Sequence, residues 1–461
     1  CNPCFMDANQ VGYVHEPTFE DIQAILDRAV SFKPRRQIII LFSGGEPTLS
    51  PFFLDAVAYA KKIGFYRILA ATNGIRYAED IEFCKAAKEA GQHGVYLQFD
   101  GTNEEDNKHR GVGNLFDVKL KAIENLASVG IKVTLVTTIV NSWNNDGIGS
   151  IVKFAAENID KVQTIAFQPV SFTGRDEDVS DQDRVKQRYT LAGMTHDLRD
   201  QLGGVLEPLR DWFPLSSYSA FTSVMDMLQG ADAPWGWSSC NCHPNCGIFT
   251  LIVVNKQTNE MRSLFEFFDY EQFMKDVAKI TDTARGKKLT MAQLAMAIMR
   301  NYDAGRAPEG FPISQILNLF KPSSTTSNSD RNDRMQAEKK EEDVWRVLCV
   351  EGMWFQDLFT YDFRRTEMCV IPYGTQEGEI SFCAYNTGVG WRQIIEEMHK
   401  TASLSEWYQE HGRHAVYAKG KEVPGIKKVR SLSLPVIAKV LEDDREPVAA
   451  SPYLVDTDAA V

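Results

Sequence analysis

The chain has 461 residues and a formal net charge of -12, with 44% hydrophobic and 24% charged residues. These are the proportions of a soluble globular protein with room for two or three domains. The acidic balance argues against a nucleic-acid or anionic-membrane partner, which needs clustered Lys and Arg. No apolar run reaches the roughly 18 residues of a membrane span, so a cytoplasmic protein is expected.

The chain opens on "CNPCFMDANQ", with Cys1 and Cys4 three apart and Phe5 directly after. "TFEDIQAILDRAVSF" has helical spacing behind a Thr cap, and "QIIILF" is an apolar run of strand length ending in "SGGEP", residues 43–47. Then follow "FFLDAVAYAKKIG" as helix, "RILAATNG" as strand, "AEDIEFCKAAKEAG" as helix and "GVYLQFDG" as strand. "LFDVKLKAIENLASVG" reads as helix, "KVTLVTTIV" as strand, "DGIGSIVKFAAENI" as helix and "VQTIAFQPV" as strand. Strands and helices alternating at this rhythm predict βαβ units and a parallel sheet. A doubly wound open sheet and a full or partial α/β barrel both fit. The strands end in polar or small residues: Gly44, Gly45, Glu46 and Pro47; Thr72 and Asn73; Gln98 and Asp100; Asn141; Gln168. Taken singly, each Asn, Asp or Gly is an ordinary turn residue. Collected on one edge, they mark the side where α/β sheets bind ligands.

After residue 175 the rhythm stops. A charged helix is predicted first, then a stretch over 209–237 rich in aromatic side chains, including Trp212, Phe213, Tyr218, Phe221, Trp235 and Trp237. That stretch, with 352–363, reads either as the wall of an apolar channel or as plain core. "SSCNCHPNCG" follows. Residues 321–343 are polar and of low complexity and are expected to be a disordered linker. The predicted divisions are thus 1–175, 176–320, the linker, 344–445, and a loose tail over 446–461.

Nine cysteines are present: Cys1, Cys4, Cys84, Cys240, Cys242, Cys246, Cys349, Cys369 and Cys383. Cys84 sits alone on an amphipathic helix and reads as a small buried hydrophobe. "EMCVIPYG" and "EISFCAYN" flank "TQEG", which predicts a hairpin folded about residues 376 and 377. That fold sets Cys369 opposite Cys383. Clustered thiols in a large chain without a secretory signature point to metal rather than disulfides. A structural zinc site is the alternative for residues 240–246, with His243 as a ligand or a hydrogen-bonded spacer.

"CNPCF" resembles the last two-thirds of the Cys-x-x-x-Cys-x-x-Cys motif of radical SAM enzymes, and "SGGEP" resembles their second signature. The resemblance covers residues 1 to about 170. It implies a partial (β/α)6 barrel lacking its first strand, with a further cysteine four residues upstream of Cys1, followed by a C-terminal α+β auxiliary region. It also implies a [4Fe–4S] cluster on Cys1, Cys4 and that third cysteine, with S-adenosylmethionine (SAM) on the open iron. Gly44, Gly45, Glu46 and Pro47 then form the SAM seat, beside Phe5, Thr72, Asn73, Gln98, Asp100, Asn141 and Gln168. Cys240, Cys242, Cys246, Cys349, Cys369 and Cys383 would hold one or two auxiliary iron–sulfur clusters. A reducing partner such as ferredoxin or flavodoxin is implied.

"CHPNCG", "FQPVSFTGR" and "FCAYN" further resemble the branch holding the tetraether lipid synthases and the dihydro-hydroxymethylpterin methyltransferases. The leading expectation is C–C bond formation on a lipid chain. The alternatives are a pterin methyltransferase, a peptide-modifying enzyme, and a non-catalytic iron–sulfur or zinc scaffold.

Overall fold

The computed structural model describes residues 4–5, 11–32, 39–65, 67–174, 179–229, 242–283, 285–319, 344–387, 391–412, 421–426 and 428–435. Cys1, Cys240, Trp235, Trp237, the predicted linker and the predicted tail lie outside them.

The predicted rhythm is present. Strands β1 (Ile39–Phe42), β2 (Arg67–Thr72), β3 (Gly94–Gln98), β4 (Lys132–Ile139) and β5 (Val162–Pro169) pair in that order, all parallel. Between and before them run α1 (Phe19–Ser31), α2 (Phe53–Ile63), α3 (Ile81–Ala90), α4 (Leu115–Ser128) and α5 (Ile148–Glu157). The Thr18 cap is real. Its hydroxyl accepts from the Asp21 N–H at 3.2 Å, and the Asp21 carboxylate accepts from the Thr18 N–H at 3.0 Å, a reciprocal capping box.

Every second strand residue faces these helices. Ile68, Ala70, Val95, Leu97, Val133, Leu135, Ile165 and Phe167 join one core with Val57, Cys84, Ile123 and Ile151. Cys84 is thus the buried small hydrophobe expected. The helices of β1 to β5 cover a single face, which sets aside the doubly wound alternative. The opposite, inner face carries Leu41, Leu69, Ala71, Tyr96, Gln98, Thr134, Val136, Thr138, Thr164, Ala166 and Gln168.

The sheet continues beyond β5 with strands drawn from far along the chain. β6 (Gly247–Asn255), β7 (Met261–Ser263) and β8 (Trp345–Met353) make it a mixed sheet, in which β8 lies parallel to β5 and antiparallel to β6. Helix α6 (Leu191–Gln201) packs behind β8 so closely that a Cβ on Gly352 would lie 2.7 Å from Leu191 and Met194. On the inner side of β6 stands a second core. Phe213, Tyr218, Phe221, Phe249, Phe265, Phe267, Phe268, Tyr270 and Phe273 pack there with α7 (Ser219–Gln229), α8 (Tyr270–Thr283) and α9 (Lys287–Arg300). The described aromatics of the 209–228 stretch are therefore core, and the expectation that they line an open channel is corrected. Aromatic rings in this density gain more from edge-to-face packing with each other, as Phe213 does with Phe265 at 4.9 Å, than from lining a void.

Last comes the predicted hairpin, β9 (Pro372–Thr375) and β10 (Gly378–Ser381), with Thr375 opposite Gly378 and its turn at residues 376 and 377. It leans on α1, where Arg28 donates to the Gln376 carbonyl at 3.1 Å. Helix α10 (Trp391–Met398) closes the module. No helix among the described residues is long and apolar enough to cross a membrane.

Candidate active site

The edge where β1 to β5 end is a closed polar frame. After β1, Gly44 takes φ +132°, which an L side chain rarely adopts, and nothing lies within 4 Å of where its Cβ would be. The backbone there faces open space. Glu46 turns inward and caps the short turn Pro47–Leu49. Its Oε1 accepts from the Thr48 hydroxyl at 2.7 Å and the Thr72 hydroxyl at 2.8 Å, and its Oε2 from the Asn73 N–H at 2.7 Å. Burial pushes the Glu46 carboxyl up, against these hydrogen bonds. The carboxylate ties the end of β1 to the end of β2 and so fixes the shape of the Gly44–Gly45 turn.

Asp100, fully buried after β3, does the same on the next strands. Its Oδ2 accepts from Gln98 at 2.6 Å, Arg110 at 2.6 Å and His109 at 2.9 Å, and its Oδ1 from the Thr138 N–H at 3.1 Å. Burial alone would raise its pKa. The Arg110 guanidinium and His109 hold the carboxyl well below the usual carboxylate range. Gln98 passes the network on, because its Oε1 accepts from Lys119 Nζ at 2.8 Å. Lys119, on α4, also donates to the Asn73 carbonyl. Burial pulls this lysine down to about 7, while Asp100 works in the other direction. Asn141 holds the helix Asp181–Gln187 through the Lys186 and Gln187 carbonyls. The Gln168 side chain, half-buried on the inner face opposite Thr138, meets no hydrogen-bond partner among the described residues.

The segment Cys4–Phe5 sits over this edge, clamped from three sides. The Phe5 ring lies 5.5 Å from Phe382 and 5.8 Å from Phe355. Its carbonyl accepts from Arg392 Nη1 at 2.6 Å. Gly174, at φ +66°, presses so near that a Cβ would lie 2.4 Å from the Phe5 oxygen and 2.6 Å from the Cys4 oxygen. A half-buried thiol outside any disulfide, a backbone cradle that tolerates no side chain, and an open glycine turn suit a thiolate-held cluster and a small ligand beside it.

The C-terminal cysteines gather on the far side of Phe355 and Phe382. Cys246 ends at β6, and its carbonyl accepts from the Trp354 N–H at 2.9 Å. Cys383 opens the turn Phe382–Asn386 and its Sγ accepts from the Gln356 N–H at 3.4 Å. A hydrogen bond from Cys242, together with Arg365, brings the Cys246 thiol down to about 6, whereas burial pushes Cys383 up to about 11 with Cys369 adding to the rise. Cys369 and Cys383 thus lie near each other as expected, although both stand beyond the ends of the hairpin ladder. His243 Nδ1 accepts from the Asn245 N–H at 3.2 Å. No three His, Cys, Asp or Glu side chains among the described residues converge to hold a metal. What they surround is polar and incomplete. Buried Trp354 Nε1, Gln356 Nε2 and Arg365 Nε have no hydrogen-bond partner. Such orphaned donors are rare in finished interiors.

Cys349 is not part of this group. It lies in mid-β8, paired with Thr164 and Leu251, while the strand's end at Met353 pairs with Gly247 beside Cys246. At about 3.3 Å per strand residue, more than 10 Å separates it from the cysteine pocket. It therefore stands apart from Cys242, Cys246, Cys369 and Cys383. Lys119, His109, Arg110, Gly174 and Arg392 were missed from sequence, although Lys119 announced itself as a lysine on the apolar stripe of Leu115, Phe116 and Ile123.

A family model described as the radical SAM superfamily matches residues 1–155. A 7,8-dihydro-6-hydroxymethylpterin dimethyltransferase of Methanocaldococcus jannaschii is 31% identical over 417 residues, 89% of this chain and 78% of that protein. An Fe-coproporphyrin III synthase of Methanosarcina barkeri is 34% identical over 175 residues, 38% of this chain and 42% of that protein. Among solved structures, native anSMEcpe with bound AdoMet covers 43% of this chain and 55% of its own at 16% identity, with a TM-score of 0.30, too slight a likeness to carry an argument.

Proposed function

Since this chain belongs to the radical SAM superfamily, we propose that it is a radical SAM methyltransferase acting on a reduced pterin. The observation that carries the reading is the 31% identity to the pterin dimethyltransferase, which runs through both the sheet and the cysteine pocket rather than through the first 155 residues alone. The packing of the 213–221 aromatics into a second core takes that part of the stretch away from a lipid channel.

Cys4, with Cys1, would hold the catalytic cluster. When bound, cluster and SAM supply a 5′-deoxyadenosyl radical able to take hydrogen from a C–H bond. The chain's own part is positional. Gly44 and Gly45 offer backbone groups to SAM, and Glu46 holds that turn in shape. Asp100 fixes Gln98, His109 and Arg110 at the edge, so that nothing there has to reorganise as the reaction proceeds. Cys242, Cys246, Cys369 and Cys383 would hold an auxiliary cluster, with Trp354, Gln356 and Arg365 supplying N–H donors to it. Reducing equivalents would come from a ferredoxin- or flavodoxin-type partner.

The test is anaerobic reconstitution with SAM, a reductant and 7,8-dihydro-6-hydroxymethylpterin. The expected result is 5′-deoxyadenosine release together with a methylated pterin, the methyl coming from a second SAM that leaves as S-adenosylhomocysteine while the reductant supplies the electrons for both steps. Deoxyadenosine released only in the presence of a lipid or a peptide overturns the pterin reading.

A further inference from the structure

The inner face holds one carboxylate that the frame does not use. Glu351 lies on β8, two residues before the strand ends, in register with Ala166 of β5 on one side and Phe249 of β6 on the other. Through β5 its row continues along Val136 of β4 to Gln98 of β3. Glu351 therefore belongs to the hydrogen-bonded row of Gln98, while Arg67, at the opening of β2, acts on it from the far end of the inner face. The neighbours of Glu351 in the row are small or apolar. Ala166 and Val136 offer short aliphatic side chains on one side, and the second core raises an aromatic wall at Phe249 on the other.

Unlike Glu46 and Asp100, Glu351 is not tied down. Among the described residues its only hydrogen-bond partner is the Cys349 thiol, 3.5 Å from Oε1, a long contact to a weak donor. It is half-buried, with Arg67 acting on it across the inner face, and burial pushes its carboxyl up. A carboxylate enclosed by protein without donors is costly. Strand geometry does not require it, since the flanking Leu348 and Val350 fill the helix side. Such a group is completed by a ligand that brings donors.

Resting on the pterin reading above, we propose that Glu351 is the substrate-recognising carboxylate, accepting from the paired N–H groups of a 2-amino-4-oxopyrimidine ring. The exocyclic amine and the adjacent ring N–H of such a ring point the same way, and a carboxylate meets them with both oxygens, as it meets a guanidinium. The flat ring would lie over Ala166 and Val136 with an edge toward Phe249. Gln168, without a partner at the next level, would face the rest of the heterocycle.

The experiment compares anaerobic binding of 7,8-dihydro-6-hydroxymethylpterin and its 2-oxo (lumazine) counterpart, which lacks the exocyclic amine. The reconstituted enzyme, Glu351→Gln and Glu351→Asp are titrated alike, with SAM binding as the control for an intact edge. Wild type should favour the pterin by about 30-fold or more, because a site built for a donor leaves its carboxylate unpaired with the analogue. Glu351→Gln should lose most of that preference, and Glu351→Asp should keep part of it, with SAM binding unchanged in both. A wild type that binds both heterocycles equally, or a Glu351→Gln variant that discriminates as wild type does, overturns this assignment and leaves the pterin reading standing. A wild type that binds neither heterocycle and methylates no pterin overturns the functional reading itself, and this assignment with it.

Discussion

The polar edge from β1 to β5 and the pocket around Cys246 and Cys383 treat buried polarity in opposite ways. At the edge, the Glu46 and Asp100 carboxylates are saturated by protein donors, and Lys119 is held between Gln98 and the Asn73 carbonyl. In the C-terminal pocket, Trp354 Nε1, Gln356 Nε2, Arg365 Nε and Arg392 Nε are buried with no hydrogen-bond partner among the described residues, and they make up four of the buried orphans that crowd the stretch from Trp354 to Arg392. The first region is complete as protein and receives its ligand onto a finished surface. The second leaves donors that its described residues do not satisfy. The two meet at the rings of Phe355 and Phe382, which clasp Phe5.

That contrast is broken most directly by removing the proposed auxiliary cluster. Chelation under anaerobic conditions should loosen residues 354–387 by several kcal/mol of local stability, since binding energy at such sites is folding energy. The strands Gly94–Gln98 and Lys132–Ile139 should keep their protection. Hydrogen exchange read by mass spectrometry separates the regions. Equal loss in both would mean that the edge depends on the cluster too, and unchanged exchange at 354–387 would mean that the orphaned donors are tolerated without a ligand.

Gly174→Ala tests the clasp between the regions. The residue sits at φ +66° and its new methyl would press on the Cys4 and Phe5 carbonyls. The positive φ alone costs about 1–3 kcal/mol in an L residue, and backbone oxygens cannot swing aside as a side chain would. The expected outcome is loss of iron from the Cys4 site with the C-terminal pocket still loaded. Iron and sulfide counts, with electron paramagnetic resonance, report each site. Full iron at both would show that the loop yields without consequence.

Much of this arrangement was legible from local pattern. The Thr18 cap, the hairpin turn at residues 376 and 377, and the polar ends of the strands follow from rules spanning a few residues. What escaped depends on contacts made across the chain. Cys349 looked like one more clustered thiol until β8 slotted between β5 and β6, pairing residue 349 with residue 164. Glu351 had no meaning before that pairing gave it an inner face and a level. The aromatics at 213–221 were ambiguous because a channel wall and a core are written with the same residues. Asp100 was expected to touch a ligand, yet its oxygens go to Gln98, His109, Arg110 and the Thr138 backbone. Sequence gathered these residues on one edge but could not say which groups frame it and which face outward.

Lys119 sharpens the contrast in the smallest way, because its effect is read only as a dependence on pH. Burial lowers its pKa to about 7 in the folded chain, whereas in the unfolded chain it titrates near its ordinary value. Between those two values the unfolded chain carries a proton that the folded chain has released. Folding stability contributed by this residue therefore rises with pH across that window, by up to about 1.4 kcal/mol per pH unit. Lys119→Met has no such proton. The unfolding free energy of wild type minus that of Lys119→Met should climb from pH 7 toward pH 10, in denaturant titrations run at each pH. Subtracting the variant removes the other groups that titrate in the same range, including the buried tyrosines and Cys84. A flat difference would mean that Lys119 keeps its proton inside the fold, held by the Asn73 carbonyl, Gln98 and the nearby Asp100 and Glu46 carboxylates. The strand edge would then be a frame of paired charges, and the lysine would present a full positive charge beneath the Asn73 carbonyl and Gln98.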